Sequence, residues 1–241
     1  MLVLSNGIPK SGSTLFSWMQ KEILMRTITN NGQLLIEQDI SNKQINGIGH
    51  FVNGIEDKNT LQTLISLSDK YGPFLIKGHT KLTNELKEAI IQKKVVVTFI
   101  HRDPRDILLS IIDHGQRSNS TNSSRFFAQF QSIEQTIPFV IQQCKDALEW
   151  VNFNYAMIFR YYDLISNPQD EILRFCRLIN LEVSKKVIDE IIETYTGSPI
   201  TGVRQYNTGK LLRYKEEMTM EEIKFCNNSL SYYIKELGYQ I

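Results

Sequence analysis

The run KVVVTFIH, Lys94 to His101, is followed within two residues by Asp103-Pro104. Seven nearly unbroken β-branched and aromatic positions suit a strand buried on both faces, which requires a sheet covered by helices on each side. Asp103 is a good N-cap and Pro104 fits a first helical turn, so a helix is predicted from there to about Gln116. The same strand-then-helix order recurs along the chain. Leu2 to Leu4 precedes apolar positions at helical spacing from Leu15 to Ile28. FLIK, Phe74 to Lys77, follows Gly72-Pro73 and precedes a helix over Leu82 to Lys93. Tyr155 to Phe159 reads as a further strand, and Asn167-Pro168 starts a helix to Leu178. Alternation of this kind predicts an α/β protein of three layers, helices flanking a central parallel sheet, with 1–241 as one domain.

Between these elements the pattern is less regular. Residues 29 to 60 are rich in Asn, Gln and Gly and read as irregular surface with one short strand at Leu34 to Ile36. RSNSTNSS, Arg117 to Ser124, reads as a polar loop suited to a lid. Phe126, Phe130, Ile133, Ile137, Val140, Cys144 and Leu148 recur at steps of three and four, predicting a long amphipathic helix. Lys185 to Tyr195 predicts another, and Thr219 with Glu222 forms a capping box for the last.

The formal net charge is only +1, so no broad positive field for nucleic acid or an anionic membrane is expected. No apolar run approaches the roughly 18 to 20 residues that cross a bilayer, and the first apolar stretch is short for a signal peptide, so a cytoplasmic location is expected. Cys144, Cys176 and Cys226 are widely spaced and read as reduced, and the four histidines lack metal-ligand spacing, so no metal is expected. No feature specifies an oligomeric state.

The chemistry concentrates in four segments. In GIPKSGST, Gly7 and Gly12 have the spacing of the triphosphate-binding loop G-x-x-x-x-G-K-[ST], but Ser13 follows the second glycine and the lysine stands at Lys10. The amides of Ser11 to Thr14 at a helix start make an anion cradle. A nucleotide kinase also needs an acid at a strand end for Mg²⁺, and the strongest strand ends in His101-Arg102 instead. Arg102 offers a planar fork to a phosphate, with Ser110 on the helix that follows, two turns beyond its N-cap Asp103. FLIKGHT sets Lys77 and His79 just past a buried strand, where a neutral imidazole can act as a base. Tyr161 follows another strand. All four segments fall beyond the carboxyl ends of strands, where open α/β sheets bind ligands.

PKSGSTL, Pro9 to Leu15, resembles the P-K-S-G-T-T-W signature of cytosolic sulfotransferases that use 3′-phosphoadenosine 5′-phosphosulfate (PAPS). HRDPRDILLS, His101 to Ser110, is similar to the family's R-N-x-K-D-x-x-x-S segment, FLIKGHT to its I-K-T-H-L, and FRYYDLISNP to its Y-E-D-L-x-x-x-P. The resemblance implies a P-loop-containing fold and a cofactor site at Lys10, Ser11, Gly12, Ser13, Thr14 and Leu15. It implies that Arg102 and Ser110 bind the 3′-phosphate and that Tyr161 reaches the adenine side. It also implies His79 as general base, Lys10 at the leaving oxygen and Lys77 beside the transferring group, with no metal. NTGKLLRYK, Asn207 to Lys215, resembles the family's R-K-G loop followed by G-D-W-K. Thr208, Gly209 and Lys210 would then lie over the 3′-phosphate, with Lys210 or Arg204 supplying charge in place of the altered residues. Leu15 stands where the family has tryptophan, and Phe16 and Tyr195 are the alternative rings for adenine. The implied reaction is sulfuryl transfer to a hydroxyl, with an amine as the alternative, on a small molecule such as the compact bacterial members of the family modify. The product nucleotide would be 3′-phosphoadenosine 5′-phosphate (PAP). Glu37, Asp39, Asp113 and Glu134 are compatible with a cationic acceptor and equally with a solvated surface. A catalytically silent PAP-binding module and a small-molecule kinase with an atypical loop are the alternatives.

Overall fold

The computed structural model describes residues 1–28, 31–42, 45–121, 126–196 and 209–241. The chain opens with β1 (Leu2–Gly7), α1 (Ser13–Thr27), α2 (Gly32–Ser41), the hairpin β2 (Gly47–Ile48) and β3 (Phe51–Val52), then α3 (Lys58–Tyr71). It continues through β4 (Phe74–Lys77), α4 (Asn84–Ile91), β5 (Val95–His101) and α5 (Pro104–Thr121). A 3-10 turn (Phe127–Gln129) leads to α6 (Ile133–Val151) and β6 (Met157–Arg160). The remaining elements are α7 (Tyr161–Ser166), α8 (Pro168–Leu178), α9 (Lys185–Thr196), α10 (Tyr214–Glu217) and α11 (Met220–Glu236).

The strands form one sheet in the order β2-β3-β4-β1-β5-β6. β1 lies at its heart, pairing in parallel with β4 (Leu4 opposite Ile76) and β5 (Leu4 opposite Val97). β5 pairs in parallel with β6, and β3 with β4, while the short hairpin strands β2 and β3 run antiparallel. Because successive side chains alternate faces, Leu2 and Leu4 enter one core and Val3 the other. The first core carries residues of α3, α4, α5, α6 and α11. The second carries α1, α7, α8 and α9. Trp150 is fully buried and stacks on Phe99 of β5 at 5.7 Å. Burying such a ring removes one of the largest apolar surfaces a side chain offers, so it anchors α6 to the sheet.

Four expectations need correction. Leu34 to Ile36 is not a strand: Gln33, Ile36 and Ile40 are buried at helical spacing on α2, and Gln33 hydrogen-bonds both backbone groups of Leu75. The sheet is not wholly parallel, because β2 turns back on β3 at the edge. α5 continues to Thr121, five residues past Gln116, so the segment read as a loop from Arg117 begins as helix; its remainder, 122–124, lies outside the described residues. The amphipathic helix begins at Ile133, where the Ser132 hydroxyl caps it, and not at Phe126. Elsewhere the caps behave as expected: Asp103 accepts from the Arg105 amide, and the Thr219–Glu222 capping box forms on both sides. Among the described residues no helix is long and apolar enough to cross a membrane.

His50 and His101 are buried, and burial followed by neighbouring cations holds both imidazoles down at about 3 (Lys21 and Lys77 near His50, Arg160 near His101). Their folded pKa lies below the unfolded value near 6.5, so between these limits the unfolded chain binds more protons and stability falls as pH falls. Acidification from pH 7 to pH 5 is expected to cost on the order of 2 kcal/mol per histidine, read as a declining urea midpoint. His50→Gln should remove one histidine's share of that decline, and a wild-type midpoint independent of pH would contradict the assignment.

Candidate active site

Parallel pairing sets the carboxyl ends of β1, β4, β5 and β6 on one edge of the sheet, and each delivers part of the site. After Gly7 the chain turns through Ile8, whose amide donates to the Ile100 carbonyl of β5. A Cβ on Gly7 would lie 2.6 Å from that same carbonyl oxygen, which explains the first glycine of the loop. Lys10 sits in the left-handed region (φ 69°), unusual for a residue with a side chain and a mark of a loop held by its surroundings. Gly12 has φ 86°, and a Cβ there would fall 2.3 Å from the Tyr161 ring. The second glycine is therefore required twice over, by backbone angle and by the tyrosine packed on it. Ser13 then opens α1, whose first turn carries amide groups beyond reach of the helix's own carbonyls and the positive end of its dipole.

The loop residues do not all face this space. The Ser11 amide donates to Ile8 and its hydroxyl to Ile100, 3.0 Å away, so Ser11 fastens the loop to β5 and its amide is not part of the cradle. Leu15 and Phe16 are buried in the core, Phe16 against Phe159 at 4.5 Å and Phe175 at 6.4 Å. Neither side chain is placed to stack on a nucleobase, and Tyr195 is likewise buried in that core.

Lys10, Lys77 and His79 come together. The Lys77 ammonium lies 3.2 Å from His79 Nε2 and 4.7 Å from the Phe51 ring centroid. His79 Nδ1 lies 2.6 Å from the Gly7 carbonyl oxygen. A carbonyl only accepts, so Nδ1 carries the proton and Nε2 presents its lone pair. His79 as a residue is exposed, while both of its ring nitrogens are engaged. Close packing, then the Lys77 charge, hold the imidazole down at about 3; the Gly7 carbonyl opposes this and Lys10 adds to it. Burial lowers Lys10 and Lys77 to about 8 each, with a further push from Arg117 on Lys10 and from Lys10 on Lys77. Lys10 Nζ lies 5.0 Å from the Phe127 ring centroid.

His79 is held by residues that carried no motif. Asn6, buried in β1, donates to the Thr80 carbonyl and accepts from the Thr80 amide, both at 3.0 Å. The Trp150 indole also donates to the Thr80 carbonyl at 3.0 Å. The residue after the candidate base is thus fixed by three bonds, two from the strand that carries the anion loop. A buried asparagine in LVLSNG signals a polar partner, but its identity, 74 residues away, lies in the fold alone.

On the β5 side Arg102 donates through Nε (3.2 Å) and Nη2 (2.9 Å) to Asp106 Oδ2, and through Nη2 to the Lys210 carbonyl at 2.7 Å. Its guanidinium lies over the Tyr161 ring at 4.5 Å. Nη1 donates to none of the described residues. Ser110 lies two turns along α5, and its hydroxyl bonds to none of them either. Gly209 is left-handed (φ 68°), and the Lys210 ammonium stands 3.6 Å from Glu216 at the surface, so Lys210 meets Arg102 through its carbonyl. Thr208 and Arg204 lie outside the described residues. Asp106 also accepts from the Tyr214 amide, a role the sequence did not suggest. Among the described residues, no group of three or more His, Cys, Asp or Glu side chains is placed to hold a metal ion.

A family profile described as sulfotransferase domain matches residues 3–231. No curated protein matches the chain. Among solved structures the chain is similar to mouse sulfotransferase SULT7A1 complexed with PAP, with 13% identity, 97% of this chain and 84% of that one covered, and TM-score 0.67. It is also similar to retinol dehydratase in complex with androsterone and inactive cofactor PAP, with 13% identity, coverage of 100% and 82%, and TM-score 0.58. A putative steroid sulphotransferase of Arabidopsis thaliana aligns with 14% identity, coverage of 100% and 78%, and TM-score 0.57. At these identities the structural likeness concerns the fold.

The packing of Tyr161 on Gly12 makes a direct prediction. Gly12→Ala combines a clash at 2.3 Å with an unfavourable φ, and should destabilise the chain by on the order of 2 kcal/mol, measured by urea unfolding. Wild-type stability in that variant would mean that the loop is not held as described.

Proposed function

The chain belongs to the sulfotransferase domain family and is a sulfotransferase, and we propose that it moves a sulfuryl group from PAPS to the hydroxyl of a small molecule, releasing PAP. The observation that carries this reading is the grouping of two lysines and a neutral imidazole at the mouth of the loop after β1. The donors present suit a ligand with an anion at each end: the α1 start and Lys10 for the 5′ side, Arg102 Nη1 and the Ser110 hydroxyl for a 3′-phosphate. PAPS would supply an activated sulfuryl group on a phosphate leaving group.

His79 Nε2 takes the proton of the acceptor hydroxyl as the new oxygen–sulfur bond forms. In the free site Lys77 occupies that lone pair, so the acceptor oxygen displaces the ammonium, which then faces the transferring oxygens. The bond from sulfur to the 5′-phosphate oxygen breaks with its electron pair left on that oxygen, and Lys10 meets the charge that develops there. This location accounts for a lysine three residues after Gly7, where a triphosphate loop requires none.

For the acceptor we propose a neutral molecule with an apolar body. Phe51 lies beside Lys77 and 5.9 Å from the His79 ring, and Phe127 lies beside Lys10, so both lysines have aromatic neighbours. Of the acids compatible with a cationic acceptor, Glu37 is paired with Lys21 at 2.7 Å and Asp113 with Arg213 at 2.8 Å. These pairings favour a neutral hydroxyl compound over a cation.

The test is radiolabelled transfer from PAPS to a panel of hydroxylated compounds. Wild type is expected to label at least one, and Lys10→Ala and His79→Ala should each lower its turnover by about 10² to 10³. Turnover near wild type in either variant would remove that residue from the proposed chemistry. PAP binding without labelling of any compound would favour the silent module.

A further inference from the structure

Arg102 and Tyr161 are each the first residue after a strand. His101 ends β5 and Arg160 ends β6, and the two are register partners in the sheet. Residues 238–240, just past α11, lie across both. The Tyr239 hydroxyl is 3.0 Å from His101 Nδ1, and the two rings meet edge to face at 5.5 Å. The Arg160 guanidinium lies over the Tyr239 ring at 5.1 Å and donates through Nη2 to the Gly238 carbonyl at 2.7 Å. Arg105 donates to the Gln240 carbonyl at 2.5 Å, to Asn227 of α11 at 2.8 Å, and through Nε and Nη2 to Asp103. The turn itself is closed by the Gly238 and Tyr239 amides, which bond to Lys235 and Ile234, with Gly238 at φ 78°.

This strap has no part in the chemistry above; Tyr239 packs at the margin of the first core, where Ile234 and Leu237 bury the end of α11. What it does touch are the two residues immediately before the guanidinium and the ring that pack together at 4.5 Å. We propose that Tyr239 is a positioning residue for the nucleotide, bridging His101 and Arg160 so that Arg102 and Tyr161 are held at the spacing that receives a 3′-phosphate. The inference rests on the PAP-binding reading above and adds to it a dependence on a residue 137 positions beyond Arg102 in sequence.

The experiment is calorimetric titration of wild type, Tyr239→Phe and Tyr239→Ala with PAP and with adenosine 5′-monophosphate, which lacks the 3′-phosphate. Tyr239→Phe removes only the hydroxyl bridge and should weaken PAP about threefold; Tyr239→Ala also removes the ring and should weaken it about tenfold. Affinity for the monophosphate should stay within about twofold in both, because a loss confined to the 3′-phosphate is not what general loosening produces. Leu230→Val, in the α11 core, serves as a variant that lowers stability without touching the strap. Unchanged PAP affinity in both tyrosine variants, equal losses for the two nucleotides, or an equal loss in Leu230→Val would each overturn the proposal. Wild type that binds neither nucleotide would overturn the PAP-binding reading itself, and this inference with it.

Discussion

The parallel pairing of β1 between β4 and β5 is the constraint from which the site follows. It brings the Gly7 carbonyl to His79, the Asn6 amide to Thr80, and the Ile100 carbonyl to Ile8 and Ser11. A slip of one residue in any of these pairings would reverse the faces of a strand and separate the loop from the imidazole. Placing β1 in the centre, buried throughout its length, makes such slips costly, since each misplaced Leu or Val forfeits roughly 1.5 to 3 kcal/mol of burial.

On that frame the site is built as an excess of positive charge. Lys10, Lys77 and Arg117 lie near enough to one another for their charges to be felt, and packing withdraws water from the two lysines. Acids close to this edge are paired with arginines: Asp103 with Arg105, Asp113 with Arg213, and Asp106 with Arg102 of the site itself. On the proposed reading an incoming dianion relieves this crowding of like charge, which is preorganisation in its simplest form. Tyr161 ties the two halves together, since the one ring packs against Gly12 of the loop and beneath the Arg102 guanidinium.

Much of this was legible in the sequence, for local reasons. The strand-then-helix order, the caps at Asp103 and Thr219, and the carboxyl-edge position of Lys10, His79, Arg102 and Tyr161 all follow from patterns a few residues long. What escaped reading depends on distant partners. α2 looked irregular because its helical stripe is only Gln33, Ile36 and Ile40, with a glutamine facing the sheet. Phe16 and Tyr195 appeared as candidates for stacking, and only the fold shows that both are buried in the second core. Asn6 and Tyr239 are single polar residues whose partners lie 74 and 138 positions away, beyond any local pattern.

The proposed chemistry makes Lys10 and Lys77 the receivers of an anion. Both stand at about 8 in the free protein, and a bound dianion must raise them, so binding at pH 8.5 takes up protons and affinity falls as pH climbs past 8. The measurement is calorimetry of PAP binding at pH 8.5 and pH 6.5 in buffers of different ionisation enthalpy. Net proton uptake is expected at pH 8.5, vanishing at pH 6.5 and shrinking in Lys10→Met. Tight PAP binding with no proton uptake at either pH would contradict it.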